Sequence, residues 1–422
     1  MDKLFVEGGR PLSGRLRVAG AKNSALPIIA STILTSGTTI LHDVPRITDI
    51  DNLLKMLSGL GCSVRWQDKA LYINTDNIRN NPINDEIARK IRGSVFVLGA
   101  LVARFKIAKL PFPGGCAIGE RPIDIHLNAF KDIGITTREQ GGYIIARRVR
   151  SPKIAITWLD FPSVGATINL ILASALGTGT RKIMGCAKEP EIIDLCNFLN
   201  RCGACIAGAG TDTITISATR ILSGTKHSIM PDRIATGSYI ALVAATGGDV
   251  ILDNTIPSHN QNLILKLGSA RVGITTTANE IRVQSRGQAK ALGSVQTAPY
   301  PGFSTDLQSQ VAALALTTKG RTTITENLFE NRFGYASGFE KLGGKVIQAG
   351  KKIIISGGEK LTGGTEDAPI DLHATDLRGG FALIMAALCA DGHSVIHNAQ
   401  YVHRGYQNLV ADLVSLGAKV TF

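Results

Sequence analysis

A sixfold repeat of one short pattern constrains the fold of this chain more than any other sequence feature. The pattern is the apolar end of a helix, then a glycine, then a strand, and it recurs about every 70 residues along the 422-residue chain. Glycine directly after a helix is the usual left-handed cap. The repeat glycines are Gly61, Gly134, Gly203, Gly273, Gly343 and Gly417. This period is longer than that of a solenoid, and six repeats divide naturally into two domains of three.

Each repeat contains two kinds of helix between short strands. An amphipathic helix precedes the glycine, as in Asp49–Leu60 and Tyr406–Leu416, and a hairpin follows it, as in Ser63–Trp66 with Ala70–Ile73. Further upstream stand a β-branched strand and a helix of small apolar residues. These small-residue helices are predicted at Ser24–Leu34, Arg92–Ala103, Gly165–Leu176, Arg233–Ala245, Asp306–Leu316 and Arg378–Ala390. The repeat is therefore βαβαββ-like, and its very apolar helices favour an interior position with the sheets outside.

Composition and charge narrow the function classes. Hydrophobic residues at 44% and charged residues at 19% are ordinary for a soluble globular protein. The longest apolar runs, such as Ser94–Ala103, are too short to span a membrane, and the N-terminus has no apolar signal-peptide core. We therefore expect a cytoplasmic protein. The net charge of +13 is spread along the chain apart from Arg147–Arg150, which favours anionic small-molecule ligands over a nucleic acid.

Most of the seven cysteines are interpreted as structural. An odd number argues against a disulfide framework. Cys202 and Cys205 match a redox or zinc Cys-x-x-Cys pattern, but Cys202 occupies a position that is Leu, Ile or Val in the other repeats. We interpret this pair as a helix end that runs into a strand. Cys389 is predicted to lie in the core, and Cys186 and Cys196 lack the His or Cys partners of a metal site.

One glycine-rich loop, Pro111–Pro122, holds the cysteine that stands apart. Cys116 lies among three glycines, and Arg121 follows five residues later. Glycine lets a backbone approach a ligand closely, and proline stiffens the flanks. The equivalent connections in other repeats also carry charge, at Lys188–Glu191, Glu330–Arg332 and His403–Gly405. We interpret the segment as a functional loop that holds a thiol near a cation, with an ordinary surface turn as the alternative.

The starts of the small-residue helices carry residues suited to anions. Free amides and the helix dipole at an N-terminus favour negative charge. Ser, Thr and Asp are routine N-caps, so capping is the alternative role for those residues. Capping does not account for Lys22, Arg92, Arg332, Arg378 and Arg404. A ligand with several phosphates or carboxylates would explain these cations, and a solvated surface is the alternative for any one of them.

Six segments resemble, in order and over essentially the full length, the UDP-N-acetylglucosamine enolpyruvyl transferases of the EPSP synthase-like superfamily. The segments are Gly20–Pro27, Pro113–Asp124, Lys188–Ile192, Pro231–Arg233, Phe329–Phe333 and Ala374–Arg378. The resemblance implies an α/β fold of two inside-out barrels, each of three repeats. We predict a first domain of residues 1–21 and 231–422 and a second domain of residues 22–230. In this family ligand binding closes a cleft, and the Cys116 loop acts as its lid.

The implied reaction transfers the enolpyruvyl group of phosphoenolpyruvate to the 3-hydroxyl of UDP-N-acetylglucosamine and releases phosphate. It is the first committed step of peptidoglycan synthesis and proceeds by addition and elimination. By the resemblance, Cys116 is the acid at the vinyl carbon and the nucleophile that forms a covalent adduct with the epoxide fosfomycin, and Asp306 is the base at the hydroxyl. Lys22 and Arg404 complete the catalytic set. The resemblance implies no metal or organic cofactor, and small-molecule substrates rather than nucleic acid or membrane partners.

The resemblance also assigns ligand contacts. Phosphoenolpyruvate is expected to contact Lys22, Asn23, Arg121, Arg332, Arg378 and Arg404. The UDP-sugar is expected to contact Asn23, Arg92, Arg121, Pro122, Ile123, Asp124, Ile125, Ser163, Val164, Gly165, Asp306 and Leu328.

The chain departs from the family pattern at four positions. The family usually has Lys at Phe161, an acidic residue at Ala235 and at His403, and Arg at Lys188. These changes bear on affinity for the acceptor more than on the chemistry. They leave open an enolpyruvyl transferase with a different nucleotide acceptor. The shikimate-pathway enzyme is disfavoured because the Cys116 loop is foreign to it, and a basic binding protein that kept the fold is the non-enzymatic alternative.

Overall fold

The protein divides into two compact units. The structure, a computed structural model, describes residues 2–112 and 123–422. The terminal unit comprises residues 2–19 and 231–422, and the central unit comprises residues 20–112 and 123–230. We keep the predicted domain boundaries after residues 21 and 230 as a proposal.

Helices and strands are numbered along the chain. The α-helices are α1 Lys22–Ser31, α2 Thr48–Gly59, α3 Asp85–Lys90, α4 Val95–Phe105, α5 Asp124–Asp132, α6 Val164–Ala175, α7 Pro190–Arg201, α8 Arg233–Thr246, α9 Gln261–Ser269, α10 Gln308–Thr317, α11 Ala336–Lys341, α12 Leu377–Cys389 and α13 Leu409–Ser415. The strands are β1 Lys3–Glu7, β2 Leu12–Arg17, β3 Thr38–His42, β4 Ser63–Gln67, β5 Ala70–Asn74, β6 Ile107–Pro111, β7 Ile135–Gln140, β8 Tyr143–Arg148, β9 Ile154–Trp158, β10 Thr180–Met184, β11 Cys205–Ala207, β12 Thr213–Ser217, β13 Lys226–Ser228, β14 Gly248–Asp253, β15 Gly273–Thr276, β16 Glu280–Ser285, β17 Gly293–Gln296, β18 Gly320–Thr325, β19 Lys345–Ala349, β20 Lys352–Gly357, β21 Ile370–His373, β22 His393–His397 and β23 Lys419–Thr421.

The terminal unit contains three four-stranded sheets within the described residues. Their strand orders are β15-β16-β14-β2, β17-β18-β20-β19 and β21-β22-β1-β23. Each sheet joins one parallel pair to antiparallel neighbours, and the parallel pairs are β2–β14, β17–β18 and β21–β22. In the last sheet the N-terminal strand β1 pairs antiparallel with both β22 and β23. The sixth repeat is therefore completed by the opposite end of the chain.

Two of the three sheets described in the central unit follow the same plan, and the third has three strands with antiparallel pairs only. Over the described part of this unit their orders are β13-β3-β5-β4, β11-β12-β10-β9 and β6-β8-β7. The strand β13 pairs parallel with β3, although β13 follows the third repeat in sequence. The first repeat thus takes its first strand from a later segment. The prediction of a mixed α/β fold built from six repeats is confirmed by these six small sheets.

The small-residue helices form the interior of each unit. In the central unit α4 packs against α1 and α6, and in the terminal unit α8, α10 and α12 pack against one another. Helix α8 buries 13 of its 14 residues, as expected for a helix that is apolar on every face. Small residues permit this close packing: a Cβ at Gly99 on α4 would lie 2.6 Å from the backbone oxygen of Asn169 on α6. None of the helices in the described ranges is long and apolar enough to cross a membrane.

The repeat glycines act as left-handed caps in five repeats. Gly61, Gly134, Gly203, Gly343 and Gly417 have φ angles from 80° to 103°. The prediction for the fourth repeat is wrong. Its helix α9 already ends at Ser269, Arg271 adopts the left-handed conformation with φ of 69°, and Gly273 opens strand β15. The apolar residue before Gly273 gives the same sequence pattern as a helix end, although Gly273 lies in a strand.

Three predicted helix starts also shift. Arg92 and Asp306 lie in 3₁₀ turns, Arg92–Ser94 and Thr305–Leu307, which precede α4 and α10. The predicted start at Tyr406 is wrong, because another 3₁₀ turn, Ala399–Arg404, precedes it and α13 begins only at Leu409. These irregular turns matter because they carry charged residues of the predicted site.

The cysteine interpretations hold where the structure describes them except for Cys389, which packs against the core instead of lying in it. Cys202 is buried at the end of α7, and Cys205 is exposed at the start of β11, which confirms a helix end that runs into a strand. Burial raises the pKa of the Cys186 thiol to about 11 and that of the Cys196 thiol to about 12. Such thiols are poor nucleophiles, because the thiolate is the reactive form. Cys389 is half-buried at the last residue of α12.

Candidate active site

Three predicted site residues lie outside the described residues. Cys116, Arg121 and Pro122 fall in the segment 113–122, and their roles stay predictions. The other predicted residues are described below within each unit.

In the terminal unit, Asp306 stands between two buried arginines. The Arg332 Nη2 atom donates to Asp306 Oδ1, and Arg378 Nη2 lies 3.5 Å from Asp306 Oδ2. The arginine side chains are 4% and 7% exposed, whereas that of Asp306 is 28% exposed. The carboxylate is therefore the accessible part of a cluster whose two cations are buried. Three residues that the sequence separates by up to 72 positions meet here.

A second set of contacts holds Arg378 in place. Its Nη1 atom lies 3.5 Å from the Tyr406 hydroxyl, which lies 2.7 Å from the Ser238 hydroxyl. Burial lowers the pKa of Arg378, but Asp306, Tyr406 and Asp232 together outweigh this, so the pKa of the guanidinium ends above its ordinary value. Burial raises the pKa of Tyr406. The arrangement is a permanent cation held beside a neutral phenol.

The structure separates helix caps from the candidate base. Asp232 and Asp376 each accept two backbone N–H groups at the starts of α8 and α12, and the Ser163 hydroxyl accepts the Ala166 N–H at the start of α6. Asp306 does not cap its turn, because the Ser304 side chain accepts the Asp306 N–H. The capping alternative is thus correct for three helix starts, while the Asp306 carboxylate is directed at arginines.

In the central unit, Lys22 forms a mostly buried ion pair at the first turn of α1. Its Nζ atom lies 2.6 Å from Asp49 Oδ2 on α2, and the two side chains are 12% and 5% exposed. Asn23 follows on the same turn and is half-buried. The pair fixes the ammonium group at the start of a helix whose amides also favour an anion.

Replacing Lys22 by methionine is expected to weaken both stability and phosphoenolpyruvate binding. Removing one member of a buried ion pair costs about 3 to 5 kcal/mol in the free energy of unfolding. The double variant Lys22→Met/Asp49→Asn should recover most of this stability but keep a KM for phosphoenolpyruvate raised at least about tenfold, since a charged hydrogen bond contributes about 1.5 to 3 kcal/mol. Urea unfolding and initial-rate kinetics measure the two effects.

The matched control for Lys22 is Lys90→Met, which removes an exposed lysine paired with Glu86. It should change neither the free energy of unfolding nor the KM for phosphoenolpyruvate appreciably, because exposed pairs contribute little. A double variant with unchanged KM for phosphoenolpyruvate would contradict the assigned role of Lys22.

A buried polar chain underlies the start of α6. Asn169 Oδ1 accepts the Gly99 N–H at 3.0 Å, so its Nδ2 group donates to His126 Nδ1 at 2.9 Å. This places the proton of neutral His126 on Nε2. A Cβ at Gly165 would lie 2.8 Å from His126 Cε1. The glycine of the predicted Ser163–Gly165 contact is therefore required by the imidazole ring packed against it.

His126 should make stability depend on pH. Burial, and secondarily Arg92, lowers the pKa of His126 from 6.5 to about 4, against the opposing influence of Asp124. The unfolded state therefore binds more protons between these values, and stability is full above pH 6.5 and is lost as the pH falls toward 4. The difference corresponds to about 3 kcal/mol. Urea unfolding of the wild type and of His126→Gln at pH 7.5 and pH 4 measures it.

The variant His126→Gln should lose this part of the pH dependence. An exposed histidine of the same unit, in His42→Gln, is the control and should keep it. Equal pH dependence in the wild type and His126→Gln would refute the prediction.

The remaining predicted residues lie at surfaces or turns of their own units. Ile123 is buried just before α5, Asp124 is exposed and Ile125 is half-buried, while Ser163 and Val164 are half-buried. Arg92, Arg404 and Leu328 are also half-buried. Among the departures, Phe161 is 44% exposed and Ala235 is buried on α8. His403 is half-buried with its ring centroid 5.2 Å from that of Phe422, and burial lowers its pKa.

Comparison with known proteins places the whole chain in one family. Residues 6–413 match the family described as EPSP synthase (3-phosphoshikimate 1-carboxyvinyltransferase). The chain belongs to the EPSP synthase family. It is 40% identical to UDP-N-acetylglucosamine 1-carboxyvinyltransferase 2 of Caldanaerobacter subterraneus subsp. tengcongensis and 42% identical to the protein of the same name from Carboxydothermus hydrogenoformans. Each alignment covers 100% of this chain and 99% of the relative.

Solved structures of other proteins share the fold. The enolpyruvyl transferase NikO from Streptomyces tendae superposes with a TM-score of 0.87 at 24% identity, over 100% of this chain and 98% of the other. An EPSP synthase from Acinetobacter baumannii superposes with a TM-score of 0.75 at 17% identity and covers both chains fully. The predicted family and fold are confirmed.

Sequence reasoning on this family member missed several supporting residues. Asp49, Tyr406 and His126 were not assigned to the site, although each contacts or neighbours a predicted residue. Glu326 was also missed. Its only sequence signal is a carboxylate directly after the buried strand β18, at a position where a charged side chain must find partners.

Proposed function

We propose that this protein is a UDP-N-acetylglucosamine 1-carboxyvinyltransferase. It transfers the enolpyruvyl group of phosphoenolpyruvate to the acceptor's 3-hydroxyl and releases phosphate. The observation that carries this proposal is the level of identity, 40% and 42% over the full chain to relatives of that name, against 17% to the EPSP synthase. A different nucleotide acceptor is not favoured by these identities. The substrates are cytoplasmic metabolites, and we assign the enzyme to the cytoplasm on that ground.

In the terminal unit we assign Asp306 as the base. It removes the proton of the 3-hydroxyl while the hydroxyl oxygen attacks C2 of phosphoenolpyruvate. The contacts from Arg332 and Arg378 fix the direction of the carboxylate. The same two arginines can bind the carboxylate of phosphoenolpyruvate. Binding this second anion would weaken their interaction with Asp306. Binding of the donor would thereby leave Asp306 freer to accept the proton.

In the central unit we assign Lys22 to the phosphate of phosphoenolpyruvate. Asp49 holds its ammonium group at the start of α1, where the helix dipole adds to the attraction for an anion. Asn23, on the same turn, is assigned to the acceptor sugar. The backbone amides at Ser163–Gly165 are assigned to the diphosphate, because they open α6.

The remaining proton is assigned to Cys116, which lies outside the described residues. In the addition step its thiol protonates C3 of phosphoenolpyruvate, and in the elimination step the resulting thiolate takes a proton back from C3 as phosphate departs. Thiols of ordinary pKa are mostly protonated at neutral pH, so the group can donate. Arg121 and Arg404 are assigned to the anionic groups of phosphoenolpyruvate, where fixed cations stabilise the departing phosphate.

Phosphate release in the presence of phosphoenolpyruvate and UDP-N-acetylglucosamine tests the proposal. We expect one phosphate for each acceptor consumed, and a product whose mass is that of the acceptor plus an enolpyruvyl group. Parallel reactions with 3-phosphoshikimate and with a uridine nucleotide that lacks the sugar should be inactive. Turnover with either of these, but none with UDP-N-acetylglucosamine, would refute the assigned acceptor.

A further inference from the structure

Glu326 is a buried carboxylate with donors on every side. The residue follows β18 directly and is 1% exposed. Oε1 accepts the Leu328 N–H at 2.9 Å, the Phe329 N–H at 3.3 Å and the Thr297 hydroxyl at 2.9 Å. Oε2 accepts the Thr305 hydroxyl at 2.7 Å. Burying a carboxylate is unfavourable unless such donors compensate it, so this group has a specific structural task.

The two oxygens serve two separate segments. Oε1 closes the turn that carries Leu328, and Oε2 holds the 3₁₀ turn Thr305–Leu307, which carries Asp306. Along the chain these segments are about 20 residues apart. The carboxylate is therefore a direct link between the candidate base and a second residue assigned to the acceptor sugar.

Thr297 reinforces the same link. Its hydroxyl accepts the Asn327 N–H at 2.9 Å, and its backbone oxygen accepts Asn327 Nδ2 at 3.0 Å. The turn after β18 is thus fixed on both sides. Few conformations remain for Leu328 while Glu326 keeps its contacts.

We propose that Glu326 is the positioning residue that sets Asp306 and Leu328 relative to each other for the acceptor sugar. The inference rests on the proposed function, because it takes the role of Asp306 from there. Glu326 is almost completely buried and acts through Thr305 and the turn at Leu328, so it is not itself a catalytic residue. Small displacements of reacting groups reduce rates strongly, by about 100-fold for 1 Å.

Steady-state kinetics of Glu326→Ala and Glu326→Gln test this role. The alanine variant should raise the KM for UDP-N-acetylglucosamine and lower kcat, each about tenfold or more. In the glutamine variant both KM and kcat should stay within about threefold of the wild type. Its carbonyl can accept the turn amides, and its NH₂ group can donate to the Thr305 hydroxyl, which is also an acceptor. Because glutamine also restores the packing at residue 326, Thr305→Val, which keeps Glu326 and removes only the Oε2 contact, separates hydrogen bonding from packing.

Hydrogen exchange supplies a readout that does not depend on turnover. The amides of Leu328 and Phe329 should exchange faster in Glu326→Ala and at the wild-type rate in Glu326→Gln. Thr322→Val is the matched control, since it removes another buried contact of the same strand, from the Leu292 N–H. It should lower the Tm but leave the KM for the acceptor unchanged.

A folded Glu326→Ala with wild-type KM and kcat would overturn the inference, as would a glutamine variant no better than alanine. If the alanine variant does not fold, Thr305→Val decides, because it removes only the Oε2 contact. It should lower kcat about tenfold without faster exchange at Leu328, and unchanged kcat would overturn the inference. Failure of the proposed function gives a different result, because the wild-type protein would then turn over a different acceptor. The same variants would be compared with that acceptor.

Discussion

Replacing Cys116 by alanine is expected to abolish detectable turnover while UDP-N-acetylglucosamine still binds. The thiol is assigned to protonate C3 of phosphoenolpyruvate, and alanine has no proton to donate. Loss of a general acid reduces the rate by about 10²- to 10⁴-fold. Phosphate release measures turnover, and calorimetric titration with UDP-N-acetylglucosamine measures binding. A fully active alanine variant would refute the acid role.

Two further variants separate the acid role from the nucleophilic one. Cys116→Asp keeps an acid but loses the thiol, so it should retain activity and resist fosfomycin. Cys205→Ala is the matched control, because Cys205 is an exposed free cysteine on β11, distant in sequence. It should remain active and sensitive, with one fosfomycin adduct detected by mass spectrometry. Loss of that adduct in Cys205→Ala but not in Cys116→Asp would contradict the assignment.

Replacing Asp306 by asparagine is expected to lower kcat by about 10²- to 10⁴-fold, the usual contribution of a general base. The asparagine carbonyl can still accept from one arginine, so the cluster keeps part of its geometry. Both guanidinium groups are buried, and the loss of the carboxylate should also lower the Tm. Single-turnover measurements with saturating substrates isolate the chemical step from binding.

The control for Asp306 is Asp249→Asn, which removes another aspartate paired with an arginine. Asp249 is exposed on β14, where the Arg282 side chain holds its pKa at about 2. This variant should keep wild-type kcat and nearly wild-type Tm, since exposed pairs contribute little. A kcat for Asp306→Asn equal to that of Asp249→Asn would exclude Asp306 as the base.

Much of the architecture could be predicted from local sequence patterns. The βαβαββ-like repeat, the apolar interior helices and the hairpins all depend on periodicity and on residues such as Gly61, whose backbone conformation is dictated nearby. The cations at helix starts could also be selected, because capping explains Asp and Ser there but not Lys22 or Arg378. The site chemistry followed from the resemblance of long motifs rather than from the patterns themselves.

Contacts between distant segments could not be predicted in this way. The strands β1, β2 and β13 complete repeats far from them in sequence, because pairing depends on which edges the folded chain brings together. The fourth repeat glycine was misplaced because the end of α9 depends on its own packing, and Arg271 takes the left-handed position instead.

The repeat, the fold class, the family and the set of candidate residues all follow from the order of residues along the chain. That Asp232 and Asp376 cap helices while Asp306 faces two arginines is visible only in the folded protein. The tertiary structure also revealed Glu326, whose donors come from three separate segments. The physical reason is that a polar side chain's role is set by which donors, acceptors and charges surround it after burial, and those partners are distant along the chain.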